Sequence, residues 1–463
     1  MNALLSSPQF ESWRLLVLQA ERNEILLHAD GAAFSLPEIV IPLQERIAAN
    51  INREVERRFG LRVISLYEIH PDTPALPDGV SYHAALSVES LEPIPSGTIW
   101  MSGGSLSANS FPHKEDFAAI GKFQSLRAKA SADSTAEPFL KLTWFAEAMD
   151  WVNESLRPYQ LRLTGPFQQL NACSTFSLLR FETSGTPVWF KAVGAPNTRE
   201  YPITMALARI GLEFIPKVLA RRSDWNAWLT KEAAGSSLLS ETHLPRWESA
   251  AKSLADLQMQ AIPFSHELSR AGARDFSCRY LGSCVNPFVE FLRNDARAPD
   301  ISRVLHLPLP ELRDLGVALQ DVMATLGELA LPETVGHMDL NPQNIICSDG
   351  ECAFIDWAEA FIGCPLFSLE YLLQQFRRAF PSQPAMEMKF REAYLAPWRA
   401  SISPENLTLV VSLSPLAALF AYATTLWRHL ETEESPNSLQ WEYFLRLVRK
   451  MRRMSQEREG VAR

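Results

Sequence analysis

The sequence predicts an α+β protein: a small α/β region first, a small β-rich lobe next, and a large helical lobe over the C-terminal half. Three observations predict it. Apolar runs of strand length recur before residue 125 and again over 176–193. From about Pro245 onward the apolar residues recur mainly at helical spacing. One segment, 335–357, breaks that helical pattern with a polar loop and two short apolar runs.

The elements follow in order. Residues 14–19 and 24–28 read as strands joined by the polar turn 20–23. Residues 43–59 carry helical periodicity and stop before Gly60, a residue that suits a helix end. Strands are expected again over 62–69 and 81–88. The small, polar stretch from Ala128 to Pro138 reads as a linker. The expected division is therefore an α/β domain over 1–125, a linker over 126–140, a β-rich lobe over 141–235 and a helical lobe over 236–463. A chain of 463 residues exceeds the size at which one core stops growing, which agrees with several domains. In the second lobe Phe145, Met149, Val152 and Leu156 share one helix face, and strands are expected over 176–182 and 188–193.

The chemistry concentrates between Val335 and Trp357. A polar loop holds His337, Asp339, Asn341 and Asn344; Ile345 and Ile346 follow, then a Ser348-Asp349-Gly350 turn, then an apolar strand that ends at Asp356. Such a hairpin brings two carboxylates and an amide to one end. Magnesium takes oxygen ligands, which Asn344 and Asp356 supply, leaving Asp339 to orient or deprotonate a hydroxyl. The plain alternative is that both aspartates cap turns.

The stretch HMDLNPQN resembles the HxDxxxxN loop of protein kinases and, more closely, the HGDLHPGN loop of aminoglycoside phosphotransferases. IDW, ending at Trp357, is similar to that family's metal-binding triplet. The resemblance implies a kinase-like bilobal fold over roughly 140–460, Asp339 as catalytic base, and Asn344 and Asp356 as magnesium ligands, with His337 bracing the loop. It also implies an upstream lysine for the phosphates of ATP or another nucleoside triphosphate. Lys191, in PVWFKAV, fits that place, and Glu200 is the acidic residue expected to pair with it. The competing readings are a solvent-facing lysine on an edge strand and a pairing of Glu200 with Arg199. Met338 and Asn341 depart from the family's usual Gly and His. Residues 168–179, expected to cover the phosphates, contain no glycine, and Trp228 to Leu238 looks like the hinge between the lobes.

A second stretch, QERIAANINREVERRFGL, is similar to a degenerate Nudix signature: Glu45, Arg53, Glu54, Val55, Gly60 and Leu61 are in register. Arg57 and Arg58 stand where that signature has its metal-binding acids, so the resemblance implies a Nudix-like fold without hydrolase activity. An unrelated α+β domain with a charged helix ending at Gly60 is the other reading.

The net charge of -9 disfavours a nucleic-acid partner, and the basic residues Arg446, Arg449, Lys450 and Arg453 read as one solvated helix face. The six cysteines form no CxxC pair and are expected to be reduced thiols of a cytoplasmic protein. Leu407 to Trp427 is long and uncharged, but Pro415 is expected to start a new helix there, and no membrane partner is expected. The function expected is phosphoryl transfer, dependent on ATP and Mg²⁺, to a hydroxyl of a small molecule. The alternative from another class is a non-catalytic, pseudokinase-like regulator that binds a nucleotide or ligand.

Overall fold

The computed structural model describes residues 10–42, 46–71, 80–132, 137–294, 309–329, 331–348, 350–432 and 438–462. It is a mixed α+β structure of two compact units, one comprising residues 1–201 and 217–232, the other 202–216 and 233–463.

In the first unit, β1 (Phe10–Gln19), β2 (Glu24–Asp30), β3 (Ala33–Ser35) and β4 (Glu38–Pro42) precede α1 (Ile47–Phe59). Gly60 ends α1 in the left-handed region, at φ +62°, and its N–H closes on Glu56. There follow β5 (Leu61–Ile69), β6 (Val80–Ser90) and β7 (Thr98–Ser102). These seven strands form one sheet, with β1 parallel to β6 and antiparallel to β2 and β4.

The expected linker is not one in its described part. Residues through Ala132 belong to α2 (Lys114–Ala132), and Pro138 to Leu140 form a 3-10 turn. The helix is tied inward by Asp116, which accepts from Arg14 Nη1 at 2.8 Å, Tyr82 Oη at 3.0 Å and the Leu36 N–H at 3.2 Å. The short polar residues suggested a break; the buried carboxylate and the apolar face of Ala119, Ile120 and Phe123 hold the segment as a helix.

The chain then forms α3 (Trp144–Leu156), β8 (Leu163–Cys173), β9 (Phe176–Thr183), β10 (Val188–Ala192), α4 (Glu200–Ile210), β11 (Val218–Arg222) and β12 (Ala227–Lys231). The five strands make a wholly antiparallel sheet in the order β11-β12-β10-β9-β8. Both sheets of this unit share one apolar core, in which Leu16, Tyr82 and Phe123 meet Trp144, Phe190 and Leu229. The boundary expected over 126–140 therefore does not separate two cores.

The second unit is mainly helical, as expected. After β13 (Ser236–Ser237) come α5 (Leu244–Ala261), α6 (Ser265–Arg270), β14 (Arg274–Phe276), α7 (Cys278–Asn294) and α8 (Leu309–Glu328). The motif segment supplies β15 (Thr334–His337), β16 (Ile345–Cys347), β17 (Cys352–Phe354) and β18 (Ala360–Gly363). Four helices finish the chain: α9 (Leu366–Ala379), α10 (Pro384–Trp398), α11 (Pro404–Thr432) and α12 (Ser438–Ala462).

Two expectations are corrected here. Helix α11 runs straight through Pro415. The missing N–H leaves the Val411 carbonyl without its helical partner, and the Ser414 hydroxyl donates to that oxygen at 3.4 Å. Leu413, Leu416, Ala417 and Phe420 are buried around it, and 67% of the helix's most apolar window lies inside the fold, although the helix is long enough to cross a membrane. The cysteines are not all thiols either: Cys347 and Cys352 face each other across β16 and β17, with Cα atoms 4.1 Å apart, and form a disulfide. Antiparallel register, not sequence spacing, makes that pair.

Candidate functional site

Every site residue expected from the sequence lies among the described residues. Lys191 sits on β10, the middle strand of its sheet, so the edge-strand reading is wrong. Its Nζ lies 2.6 Å from Glu200 Oε1, with the lysine side chain 14% and the glutamate 2% exposed. Glu200 opens α4, where a negative charge is favoured. The lysine ammonium also lies 5.8 Å from the ring centres of Phe176 and Trp228, so two aromatic faces border the ion pair. A largely buried lysine needs an anionic partner to offset the cost of its desolvation, and Glu200 is that partner here.

The stretch over 168–179 is a hairpin, not an open loop: β8 runs to Cys173 and β9 begins at Phe176. Its tip packs on the segment after Lys191. Thr175 Oγ1 donates to the Ala195 carbonyl at 3.1 Å, and a Cβ at Gly194 would come within 2.6 Å of Thr175. The expected hinge contains one of the points at which the chain passes from one compact unit to the other, between Glu232 and Ala233. Gly235 is required there, because at φ +106° a Cβ would meet the Cys347 carbonyl oxygen at 2.0 Å.

In the second unit β15 delivers the chain into the polar loop, and His337 is the pivot. It is fully buried. Its backbone N–H donates to Ser368 Oγ on α9 at 3.0 Å. Its ring Nε2 lies 3.0 Å from the Ile355 carbonyl, which can only accept, so Nε2 carries the hydrogen. Nδ1 is then the acceptor, and it takes the Asp339 N–H at 3.1 Å. Burial holds the imidazole below its usual pKa, in agreement with a neutral ring. The Trp357 indole lies against it, with ring centres 4.8 Å apart.

Asp339 is thus aimed by the histidine two residues before it. Asn341 Nδ2 donates to its Oδ1, and Asn344 Nδ2 donates to its Oδ2 at 3.2 Å and to its carbonyl at 3.0 Å. Burial raises the Asp339 carboxyl above the usual carboxylate range, and the charges of Asp356 and Glu359 push the same way. Because Asn344 turns its Nδ2 to Asp339, its Oδ1 is the atom a cation would take. Asp356 ends the hairpin at φ +67°, a left-handed conformation that aspartate tolerates, and redirects the chain into β18. The Ile355 N–H donates to the Asn344 carbonyl at 3.0 Å, which couples the two proposed ligand positions through backbone.

The donor set fits magnesium: one amide oxygen and one carboxylate, with the remaining positions left to phosphate and water oxygens. Among the described residues there is no group of three or more His, Cys, Asp and Glu side chains arranged to hold a metal ion.

The structure adds residues that the sequence reading missed. Glu359 accepts from Arg274 at 2.6 Å, and its carbonyl takes the Met338 N–H at 3.1 Å. Met338, a departure from the family pattern, is buried beside Leu340 in the core. Ser368 and Gln375, both on α9, reach the loop from a separate element and left no local signal. The degenerate Nudix positions Arg53, Glu54, Val55, Gly60 and Leu61 lie on α1 and its exit, and Glu54 is engaged by Arg57 at 2.7 Å and Arg58 at 3.1 Å. Glu45 lies outside the described residues.

Comparison with known proteins places this loop in context. No curated protein matches the chain. A choline/ethanolamine kinase family protein from Mesorhizobium loti is 14% identical, over 66% of this chain and 94% of its own, with a TM-score of 0.44. An ethanolamine kinase from Plasmodium vivax is 16% identical, over 72% and 94%, with a TM-score of 0.47. A macrolide 2'-phosphotransferase from Brachybacterium faecium is 14% identical, over 65% and 97%, with a TM-score of 0.43. Residues 199–402, which include the whole 335–357 segment, match the model of the phosphotransferase enzyme family.

Proposed function

We propose that this protein transfers the γ-phosphoryl group of ATP, or another nucleoside triphosphate, to a hydroxyl of a small molecule. The observation that carries this reading is the Asp339 carboxylate, gripped at each oxygen by an amide of its own loop, inside the stretch that matches the phosphotransferase family. In this reading Asp339 aligns the acceptor hydroxyl and accepts its proton as the new O–P bond forms. Asn344 Oδ1 and Asp356 hold Mg²⁺, which when bound neutralises charge on the phosphates. Lys191, oriented by Glu200, pairs with phosphate oxygens. The acceptor is a small molecule, with no nucleic-acid or membrane partner. For the first sheet we propose a supporting role, since Arg57 and Arg58 occupy Glu54.

Thermal melting with ATP and Mg²⁺ tests the site. Nucleotide at 100 times its dissociation constant stabilises the folded state by about 2.7 kcal/mol. A rise in melting temperature that needs magnesium and disappears in Asp356→Ala is expected; no rise for the wild type would end the proposal. Turnover follows, measured as ADP release over a panel of amino alcohols, sugars and antibiotics. Asp339→Asn is expected to retain the melting shift and lose turnover by roughly 10²–10⁴-fold.

A further inference from the structure

Beyond the loop itself, three side chains stand in line behind Asp339. Arg378 Nη1 donates to Gln375 Oε1 at 3.0 Å. Gln375 Nε2 donates to Asn341 Oδ1 at 3.2 Å, and Asn341 Nδ2 donates to Asp339 Oδ1. Gln375 and Arg378 are one turn apart on α9, the same helix whose Ser368 holds the His337 N–H.

A side-chain amide offers its nitrogen as donor and its oxygen as acceptor, so its neighbours select its orientation. Here the two ends decide it. A guanidinium only donates and a carboxylate only accepts, so each amide between them has one orientation that satisfies both neighbours. Arg378 turns the Gln375 oxygen toward itself, which points the Gln375 nitrogen at Asn341. That in turn points the Asn341 nitrogen at the carboxylate. We propose that Arg378, Gln375 and Asn341 form a one-way hydrogen-bond chain that fixes the rotation of the Asp339 carboxylate, making Gln375 and Asn341 positioning residues of the phosphoryl-transfer site.

The chain accounts for one departure from the family pattern. A neutral histidine at position 341 would also donate from one nitrogen and accept at the other, so either residue can carry the chain. With Asn344 on Oδ2 and Asn341 on Oδ1, the carboxylate plane is held from both sides. Losing one grip allows the carboxylate to rotate away from the acceptor hydroxyl, which costs turnover rather than nucleotide binding.

The role in turnover rests on the phosphotransferase reading; the polarity of the chain does not. Two experiments keep them apart. In steady-state ADP release, Asn341→Leu is expected to lower kcat roughly 10–100-fold with KM for ATP unchanged, while Asn341→His stays near wild type. Equal kcat for the leucine variant and the wild type overturns the positioning role. The second experiment is a thermal-melt cycle that needs no substrate. Gln375→Glu offers only an acceptor to Asn341, which reverses that amide and sets its oxygen against the Asp339 carboxylate. Asp339→Asn alone leaves Asn341 and Asn344 both offering N–H groups to a side chain with one acceptor. Combined, the two changes restore a consistent chain running the other way. The double variant should therefore melt higher than the two separate losses predict. Additive losses would overturn the chain, and absent ATP turnover with a coupled cycle would overturn only the phosphotransferase reading.

Discussion

Ser368 shows how much rests on one hydroxyl. Its oxygen is the acceptor for the His337 N–H where β15 gives way to the polar loop, and both residues are fully buried. Ser368→Ala leaves that buried N–H without its hydroxyl partner, at a cost of about 1–3 kcal/mol. The expected readout is a lower midpoint in urea with an unchanged slope. A midpoint equal to wild type would mean that the N–H finds another acceptor. The oxygen-bearing residues of the loop stand out in the sequence because Asp339, Asn344 and Asp356 lie in one short stretch. The residues that aim them do not. Ser368, Gln375 and Glu359 act through contacts made by folding, and a serine or glutamine on a helix carries no mark of what it will touch.

Elements were legible where periodicity is strong and capped, as in α1, which stops at Gly60 as expected. They were misread where a short polar run hides a tertiary anchor. Asp116 could not be told from a surface acid before β1 and β6 brought Arg14 and Tyr82 to it. Proline at 415 looked like a helix start because sequence alone does not show the burial that carries α11 past it. A comparable anchor pins β12 in the five-stranded sheet. Glu232 accepts from Arg180 Nε at 2.6 Å and Nη2 at 3.1 Å and from the Trp189 indole at 2.8 Å. Those bonds, Arg180 foremost, hold its carboxyl below the usual range. A carboxyl depressed in the folded state stabilises it above the unfolded pKa, near 4.5, and that stability is lost as pH falls through the lower folded value. Glu232→Gln should therefore cost about 1 kcal/mol at pH 7 and flatten the fall in melting temperature below pH 4.5. Parallel acid profiles for variant and wild type would show that the pair does not contribute.

At the scale of the molecule, the division into a leading domain and a separate lobe was the expectation that folding changed most. Composition marks a boundary where breakers cluster, but cores are set by which apolar faces meet. Here β8 presents Gln169, only 4% exposed, to the first sheet. Its amide accepts from the Ser65 N–H at 2.7 Å and donates to the Ser65 carbonyl at 2.9 Å, completing strand bonding with a side chain. Asn52 Nδ2 on α1 adds a third bond at 3.0 Å. Around it Leu16, Tyr82 and Phe123 share the core with Trp144, Phe190 and Leu229. A fragment of residues 141–463 loses the first three and leaves the rest facing water, each fully buried side chain being worth about 1.5–3 kcal/mol. Several such losses are comparable to the 5–15 kcal/mol that typically holds a folded protein together. The fragment should elute as aggregate in size-exclusion chromatography, or lose the cooperative melt that the full chain shows by circular dichroism. If it instead runs as a monomer and melts at the full chain's temperature, the shared core is dispensable and the leading sheet is a domain in its own right.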